Sequence, residues 1–417
     1  MRDEFTVFCP SLRDFLYLCI DKKSSIMVED FLYQTMNELV ASVSHEFKRY
    51  IHGEILWDAR MLGLIGPRGV GKSTLLLQRI REQNGEGKYL YVTADNLYFS
   101  NHTLVQLADE FVKENGSHLV IDEVHKYPGW SRELKNIYDN HPKLHIIFTG
   151  SSVLDIMQGE ADLSRRALMY HMQGLSFREY LELNHGIKAR AYTLEEIVGG
   201  KATVKGLEHP LPMLRDYLVN GYYPFSCEPG YKQRLQQMVS LTLDIDIPQY
   251  ADLRASTANK LKLMLSIIAG LAPYKPNMSN LASEIGVSKN NIQDYLAYLD
   301  RAGLVALLRD DVGGMRLLGK VEKVFLDNTN IMYALSEEKP NIGNVRETFF
   351  LNQMRVKNKV SASAVSDFKI NSLTFEVGGR NKGSRQVVGI DNAFIVKDDI
   401  EYAHDNIIPL WMFGLNY

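Results

Sequence analysis

Cysteine is scarce in this chain and poorly spaced: Cys9, Cys19 and Cys227 are its three cysteines in 417 residues. They show neither C-x-x-C spacing nor an even-numbered framework, so a disulfide-stapled secreted scaffold is excluded and a reduced compartment fits. All three read as small core residues. Long apolar runs are also missing. The richest stretch, residues 261–271, carries Lys262 within it and is about half of what a membrane span needs. Residues 1–4 include Arg2, Asp3 and Glu4 and lead into no apolar segment with a small-residue cleavage site, so a cytoplasmic protein with no membrane partner is expected. Charge of one sign is lacking as well. With 47 Lys and Arg against 50 Asp and Glu, the net charge is -3, and nothing global announces a nucleic-acid partner.

What is present is an ordinary globular composition, 45% apolar and 23% charged, in a chain long enough for roughly two to four domains. Its organising stretch is Gly66, Pro67, Arg68, Gly69, Val70, Gly71, Lys72, Ser73 and Thr74. An apolar run, residues 61–65, precedes it, and a helical pattern, residues 75–80, follows. Strand, glycine-rich loop and helix in that order make a phosphate-binding loop. The glycines let successive backbone N–H groups turn toward an anion, and the helix N-terminus adds its partial positive charge. Lys72 is placed for β- and γ-phosphates and Ser73 for a magnesium ion. An ordinary glycine turn would not need the flanking strand and helix.

Residues 118–124 form a second apolar run ending in Asp122 and Glu123. Roughly fifty residues beyond a phosphate loop, this pair reads as the acid that holds magnesium, Asp122, and the base that polarises water, Glu123. A third run, residues 144–152, ends in Thr149, Ser151 and Ser152. Thr149 or Ser151 can sense a γ-phosphate from a strand end, or simply cap a turn. Upstream, residues 25–52 place Ile26, Phe31, Leu32, Met36, Leu39 and Val40 at helical spacing and predict one long amphipathic helix. Residues 181–255 read as helices broken by Gly199, Gly200, Pro210, Pro212 and Pro224, a helical lid and linker; Tyr222 and Tyr223 read as packing.

The set comprising residues 66–74, 121–124 with Trp130, 148–152 and 175–180 resembles the AAA-type ATPase core of prokaryotic proteins that carry a C-terminal domain of unknown function. Residues 220–224, 323–328 and 375–379 are similar to landmarks of that family's second half. The resemblance implies ATP and Mg2+ as ligands, hydrolysis to ADP and phosphate, and a homo-oligomer as a candidate assembly. It also implies that an arginine at Arg166 meets the γ-phosphate of the same or a neighbouring chain. Arg165 stands where the family usually has Gly, so the choice between the two stays open, as does the alternative of two solvated arginines.

Farther along, residues 278–299 read as two short helices with Ser288 capping the second, and 303–308 as a following strand. This pattern resembles a winged helix-turn-helix in which Ser288, Lys289, Asn290, Asn291 and Gln293 would meet a DNA major groove; with Asp294 and Asp300 alongside one lysine, protein docking is the competing use. Between Arg346 and Arg385 eight basic residues (Arg346, Arg355, Lys357, Lys359, Lys369, Arg380, Lys382, Arg385) face three acids (Glu347, Asp367, Glu376), a candidate polyanion-facing surface. The order of those acids resembles restriction-endonuclease-like folds, but the lysine expected two residues after Glu376 is replaced by Gly378, with Lys382 as the candidate to migrate in, so nuclease activity is not expected.

The expected architecture is therefore α/β: a P-loop NTPase parallel sheet with a helical lid, followed by a winged helix and a small α/β nuclease-like C-terminal domain. Its expected boundaries are an N-terminal segment 1–24, ATPase core 25–180, lid and linker 181–255, winged helix 256–315 and C-terminal domain 316–417. The expected activity is an ATPase with a DNA-linked role through 278–299 and 346–385, and the alternative is a nucleotide-gated protein-interaction switch.

Overall fold

A computed structural model describes residues 28–417 except 84, 86, 151–162, 164, 251–254, 311–319 and 381–388. The N-terminal segment, Cys9, Cys19, Ser151, Ser152, Lys382 and Arg385 lie outside the described residues. Cys227 is exposed rather than a core residue.

Five short apolar runs form the first sheet: β1 (Met61–Ile65), β2 (Tyr89–Thr93), β3 (His118–Asp122), β4 (His145–Gly150) and β5 (Leu168–His171). Their order is β2-β3-β4-β1-β5, and each pairing is parallel. Parallel strands need helical crossovers, which cover both faces, so β1 is buried at all five positions and alternation is lost. Around the sheet lie α1 (Asp30–Ser42), α2 (Lys72–Glu82), α3 (Leu104–Lys113) and α4 (Trp130–Asn140). The helix predicted over 25–52 stops at Ser42, where Val43 turns extended. Leu32 and Met36 are buried, whereas Phe31 is 42% exposed, so the apolar periodicity overstates the helix.

The helical segment that follows contains α5 (Phe177–His185), α6 (Pro210–Asn220) and α7 (Tyr231–Leu241), and α7 runs into a π-turn at Thr242–Asp246. Next come α8 (Ala255–Leu271), α9 (Met278–Ile285) and α10 (Lys289–Arg301), then an antiparallel hairpin of β6 (Val305–Arg309) and β7 (Val321–Leu326). Gly286, at φ 70°, ends α9, and the Ser288 hydroxyl accepts from the Asn291 N–H to start α10. Because β7 pairs with β6, the boundary expected at 315/316 falls inside the hairpin. Helices α11 (Thr329–Leu335) and α12 (Ile342–Met354) lead to a second sheet, β12-β11-β10-β9-β8, built from β8 (Val360–Ala362), β9 (Phe368–Ile370), β10 (Leu373–Gly378), β11 (Ala393–Lys397) and β12 (Ile407–Pro409). Strands β8 to β10 are antiparallel, and β10 to β12 are parallel.

These parts share one apolar cluster, which runs from Leu75 and Leu76 behind the phosphate loop through Tyr217, Leu296 and Val324 to Phe349 and Phe413; a second large cluster is confined to residues between Val28 and Ala167, around the first sheet and its helices. Tyr222 and Tyr223 are buried in the shared cluster, as packing residues. Among the described residues no helix is long and apolar enough to cross a membrane.

Candidate nucleotide site

The loop leaves the carboxyl end of β1, the place where open parallel sheets bind ligands. Gly66 is required by space: a Cβ there would stand 2.1 Å from the Met172 carbonyl oxygen. Gly71, at φ 97°, caps α2 without a side-chain hydrogen bond, which leaves the first N–H groups of the helix available to an anion. Lys72 curls over the loop and donates to the carbonyls of Gly66 and Pro67 at 2.8 Å each. Burial lowers its ammonium to about 8, because the charged form loses water without an anionic hydrogen-bond partner.

Strand order brings the acids to the loop. Since β4 lies between β3 and β1, Thr149 on β4 sits between Asp122 and the loop. Its hydroxyl donates to Asp122 Oδ1 and accepts from the Glu123 N–H at 2.9 Å. Thr149 is fully buried, and its hydroxyl holds the two acids in place. The Tyr91 hydroxyl, from β2, donates to Asp122 Oδ2 at 2.6 Å and interacts with the Ser73 side chain. Burial pushes this phenol well above its ordinary range. The sequence reading missed Tyr91, although its alternation with Thr93 on an edge strand was the available signal. Glu123 has φ 52°, an uncommon conformation for a non-glycine residue, and its carboxylate pairs with Lys126, which also holds Asp95 at 2.6 Å.

Arg68, Lys72, Ser73, Asp122, Glu123 and Phe225 line a cavity of about 400 Å³. Beside it, sharing Gly71, Thr74 and Pro224, lies a cavity of about 610 Å³ with Phe47, Leu75 and Leu183 in its wall. A polar compartment joined to a more apolar one suits a ligand with an anionic tail and a flat apolar head. The Ser73 hydroxyl and Asp122 carboxylate, both gathered around the Tyr91 hydroxyl, are hard oxygen donors of the kind that fit Mg2+.

Residues 58–181 match the family described as AAA domain. This part of the chain is similar to an AAA-type domain. Residues 211–341 match a domain of unknown function, DUF8612. A protein of Methanocaldococcus jannaschii, "Uncharacterized protein MJ1637", is 26% identical over 262 residues, 58% of this chain and 55% of that protein. This chain thus matches just over half the length of that relative. Among solved structures, the Walker-type ATPase PABY2304 of Pyrococcus abyssi aligns at 14% identity and TM-score 0.44, covering 69% of this chain and 95% of its own. AMPPCP-bound DnaA from Aquifex aeolicus aligns at 13% identity and TM-score 0.27, covering 66% of this chain and 89% of its own.

The phosphate loop is gripped from outside the core sheet. Arg49 donates to the Val70 carbonyl, to the carbonyls of Gln173 and Gly174 at 2.6 and 2.8 Å, and to Glu179 at 3.0 Å. Arg49 and Glu179 are 5% and 0% exposed, and deleting one member of such a buried pair costs about 3–5 kcal/mol. From the helical segment, Asp246 takes both Nε and Nη2 of Arg68 at 2.6 Å. Phe225 packs so closely on Gly69 that a Cβ there would lie 2.6 Å from its ring. From the turn between α10 and β6, Gly303 abuts Pro67, with 2.7 Å left for a Cβ.

Other predicted residues lie elsewhere. Arg166 pairs with Asp139 at 3.0 and 2.9 Å, at the start of β5, while the loop leaves the other end of neighbouring β1. Some five residues of strand, roughly 15 Å, intervene, so Arg166 does not serve the phosphate loop of its own chain; Arg165 beside it is exposed. Of the eight basic residues expected to face a polyanion over 346–385, three are paired internally. Arg346 pairs with Asp398, Arg355 with buried Asp327, and Lys357 with Glu54. The acids of that region do converge, but on Lys323, whose ammonium reaches Glu347 at 3.1 Å and Asp367 at 3.2 Å. Glu376 accepts from Ser366 at 2.7 Å. Among the described residues no His, Cys, Asp and Glu cluster is arranged to hold a metal ion.

Proposed function

We propose that the chain binds ATP with Mg2+ in the two joined cavities and hydrolyses it to ADP and phosphate. The observation that carries this reading is the convergence of Lys72, Ser73, Asp122 and Glu123 on one cavity at the N-terminus of α2. The α- and β-phosphates take the open N–H groups of residues 69–74, the base lies against Phe47 and Leu75, and Lys72 moves from its two carbonyl partners to the β- and γ-phosphates. Ser73 and Asp122 would hold Mg2+, whose chemistry there would be neutralisation of phosphate charge. Glu123 orients a water and takes its proton as the water oxygen bonds to the γ-phosphorus. The bond from that phosphorus to the β,γ-bridging oxygen breaks, and its electron pair leaves with ADP. Tyr91 and Thr149 hold Asp122 and the Glu123 backbone in register.

The cycle works as a switch, because the loop that senses phosphate is touched by Asp246, Phe225 and Gly303, all from outside the core sheet. A DNA-linked role is the second reading. Three helices followed by a hairpin have the order of a winged helix, and Ser288, Lys289, Asn290, Asn291 and Gln293 on α10 are exposed. A homo-oligomer, with Arg166 facing a neighbouring copy's nucleotide, belongs with either reading. The deciding measurement is phosphate release by wild type and Lys72→Ala, with and without duplex DNA. Turnover lost in Lys72→Ala supports the ATPase; turnover unchanged by DNA, with no mobility shift at low salt, removes the DNA-linked role.

A further inference from the structure

We propose that Arg68 is a catalytic arginine held in reserve: without a γ-phosphate it is stored on Asp246, and ATP draws it off to stabilise the transferring phosphoryl group. The inference rests on the ATPase reading above and goes beyond it by assigning the transition-state cation and its release. Arg68 lies inside the phosphate loop and lines the same cavity as Lys72, Asp122 and Glu123. Its guanidinium fork is occupied by Asp246 through two 2.6 Å bonds, and that same planar edge is the one that binds a phosphate oxygen pair. Asp246 is 4% exposed and belongs to the π-turn Thr242–Asp246. Such single-turn departures from α geometry recur at functional sites.

Charge counting around the cavity gives the direction of the exchange. With Arg68 neutralised by Asp246, Lys72 is the remaining cation among the described lining residues, while Glu123 and Glu228 are paired outside the cavity with Lys126 and Arg234. Mg2+ held by Ser73 and Asp122 would answer part of the added negative charge of ATP. The charge that develops on the γ-oxygens during transfer then has the neighbouring guanidinium to meet it. ADP lacks the group that competes with Asp246, so the exchange belongs to ATP. When Arg68 leaves, the Asp246 carboxylate is buried without its partner, which is costly, and the π-turn loses its hold on the loop.

The test uses the full chain as wild type, Asp246→Asn, Arg68→Ala and Arg68→Lys. It measures affinities for ADP and for a non-hydrolysable ATP analogue, together with kcat for ATP. The expected result is that Asp246→Asn tightens the analogue about tenfold more than ADP, because only the γ-phosphate had to compete. Arg68→Ala lowers kcat by about 10³, the scale of arginine stabilisation in phosphoryl transfer, and Arg68→Lys, lacking the fork, recovers less than a tenth of the loss. The proposal is overturned if Asp246→Asn shifts ADP and analogue equally, as a purely structural strap would, or if Arg68→Ala keeps kcat within tenfold of wild type. Should Arg68→Ala fail to fold, the affinity ratio in Asp246→Asn still decides. Wild type that binds neither nucleotide removes the ATPase reading and this proposal together; wild type that turns over ATP with an unchanged ratio removes this proposal alone.

Discussion

Two regions of this chain assemble nearly the same ingredients and do opposite things with them. At the phosphate loop, Asp122 and Glu123 stand beside Lys72, whose ammonium rests on the Gly66 and Pro67 carbonyls rather than on either acid. In the C-terminal sheet, Glu347 and Asp367 stand around Lys323, which pairs with both. The first region leaves Lys72 off the acids and open to a ligand, although Glu123 pairs with Lys126 and Arg68 with Asp246; the second commits its lysine to its acids. A carboxylate cluster is therefore informative about chemistry only once the source of its counter-charge is known. Lys323 supplies that charge from β7, where a divalent cation would otherwise be the natural partner.

The comparison is broken most severely if chemistry follows the wrong cluster. Glu123→Gln is expected to cut phosphate release by about 10³ or more, while Glu376→Gln leaves it within twofold; a colorimetric phosphate assay on both variants checks this. A smaller effect is expected from Lys323→Met, which leaves Glu347 and Asp367 facing each other. Burial and Asp367 already raise Glu347 above its ordinary range. With the lysine a third exposed, the loss is about 1–2 kcal/mol, and millimolar Mg2+ restores part of it. Thermal melts of wild type and variant, with Mg2+ and with chelator, would show that restoration or its absence.

Lys72 provides a third test through protons. Its pKa of about 8 lies below the ordinary 10.5, so the unfolded chain binds more protons between those values. This lysine's burial penalty is fully present below pH 8 and fades as pH rises toward 10.5. A polyphosphate favours the charged form and raises the pKa. ATP-analogue binding at pH 8 should therefore take up about half a proton, and affinity should fall above that pH. Calorimetry in two buffers of different ionisation enthalpy measures the uptake; Lys323, raised by its acids, contributes none. The smallest effect expected is on DNA. With Arg346, Arg355 and Lys357 already paired, any DNA affinity should vary with salt by a log–log slope of no more than about 2 in magnitude, measurable by fluorescence anisotropy from 50 to 200 mM salt.

Local chemistry made much of the first sheet and its phosphate loop readable. The apolar run at 61–65 and the observed strand coincide, and Gly66, Gly69, Gly71, Asp122 and Glu123 sit where motif spacing places them. Residues whose roles depend on neighbours in space were not readable in that way. Thr149 serves Asp122 because β4 lies between β3 and β1, and Arg68 finds Asp246 across 178 positions. Lys323 reaches Asp367 across 44 positions. The overlong helix has a related cause. Past Ser42 the chain gives up helical hydrogen bonds so that Arg49 can reach Val70 and Glu179, a demand no local periodicity encodes. Charge counting over 346–385 is incomplete for the same reason, since composition does not show that Arg346, Arg355 and Lys357 are already answered.

The contact of Gly303 with Pro67 bears on how the gene can be cut. The expected sequence boundaries separate residues 25–180 from 256–315, yet a turn from the latter forms one wall of the phosphate loop in the former. An expressed fragment ending near residue 180 would carry every motif residue and still lack Asp246, Phe225 and Gly303. Its loop would be free to adopt shapes the whole chain forbids. A weakly binding fragment would therefore report on the cut, and the smallest unit suited to nucleotide titration is one that extends through the β6–β7 hairpin.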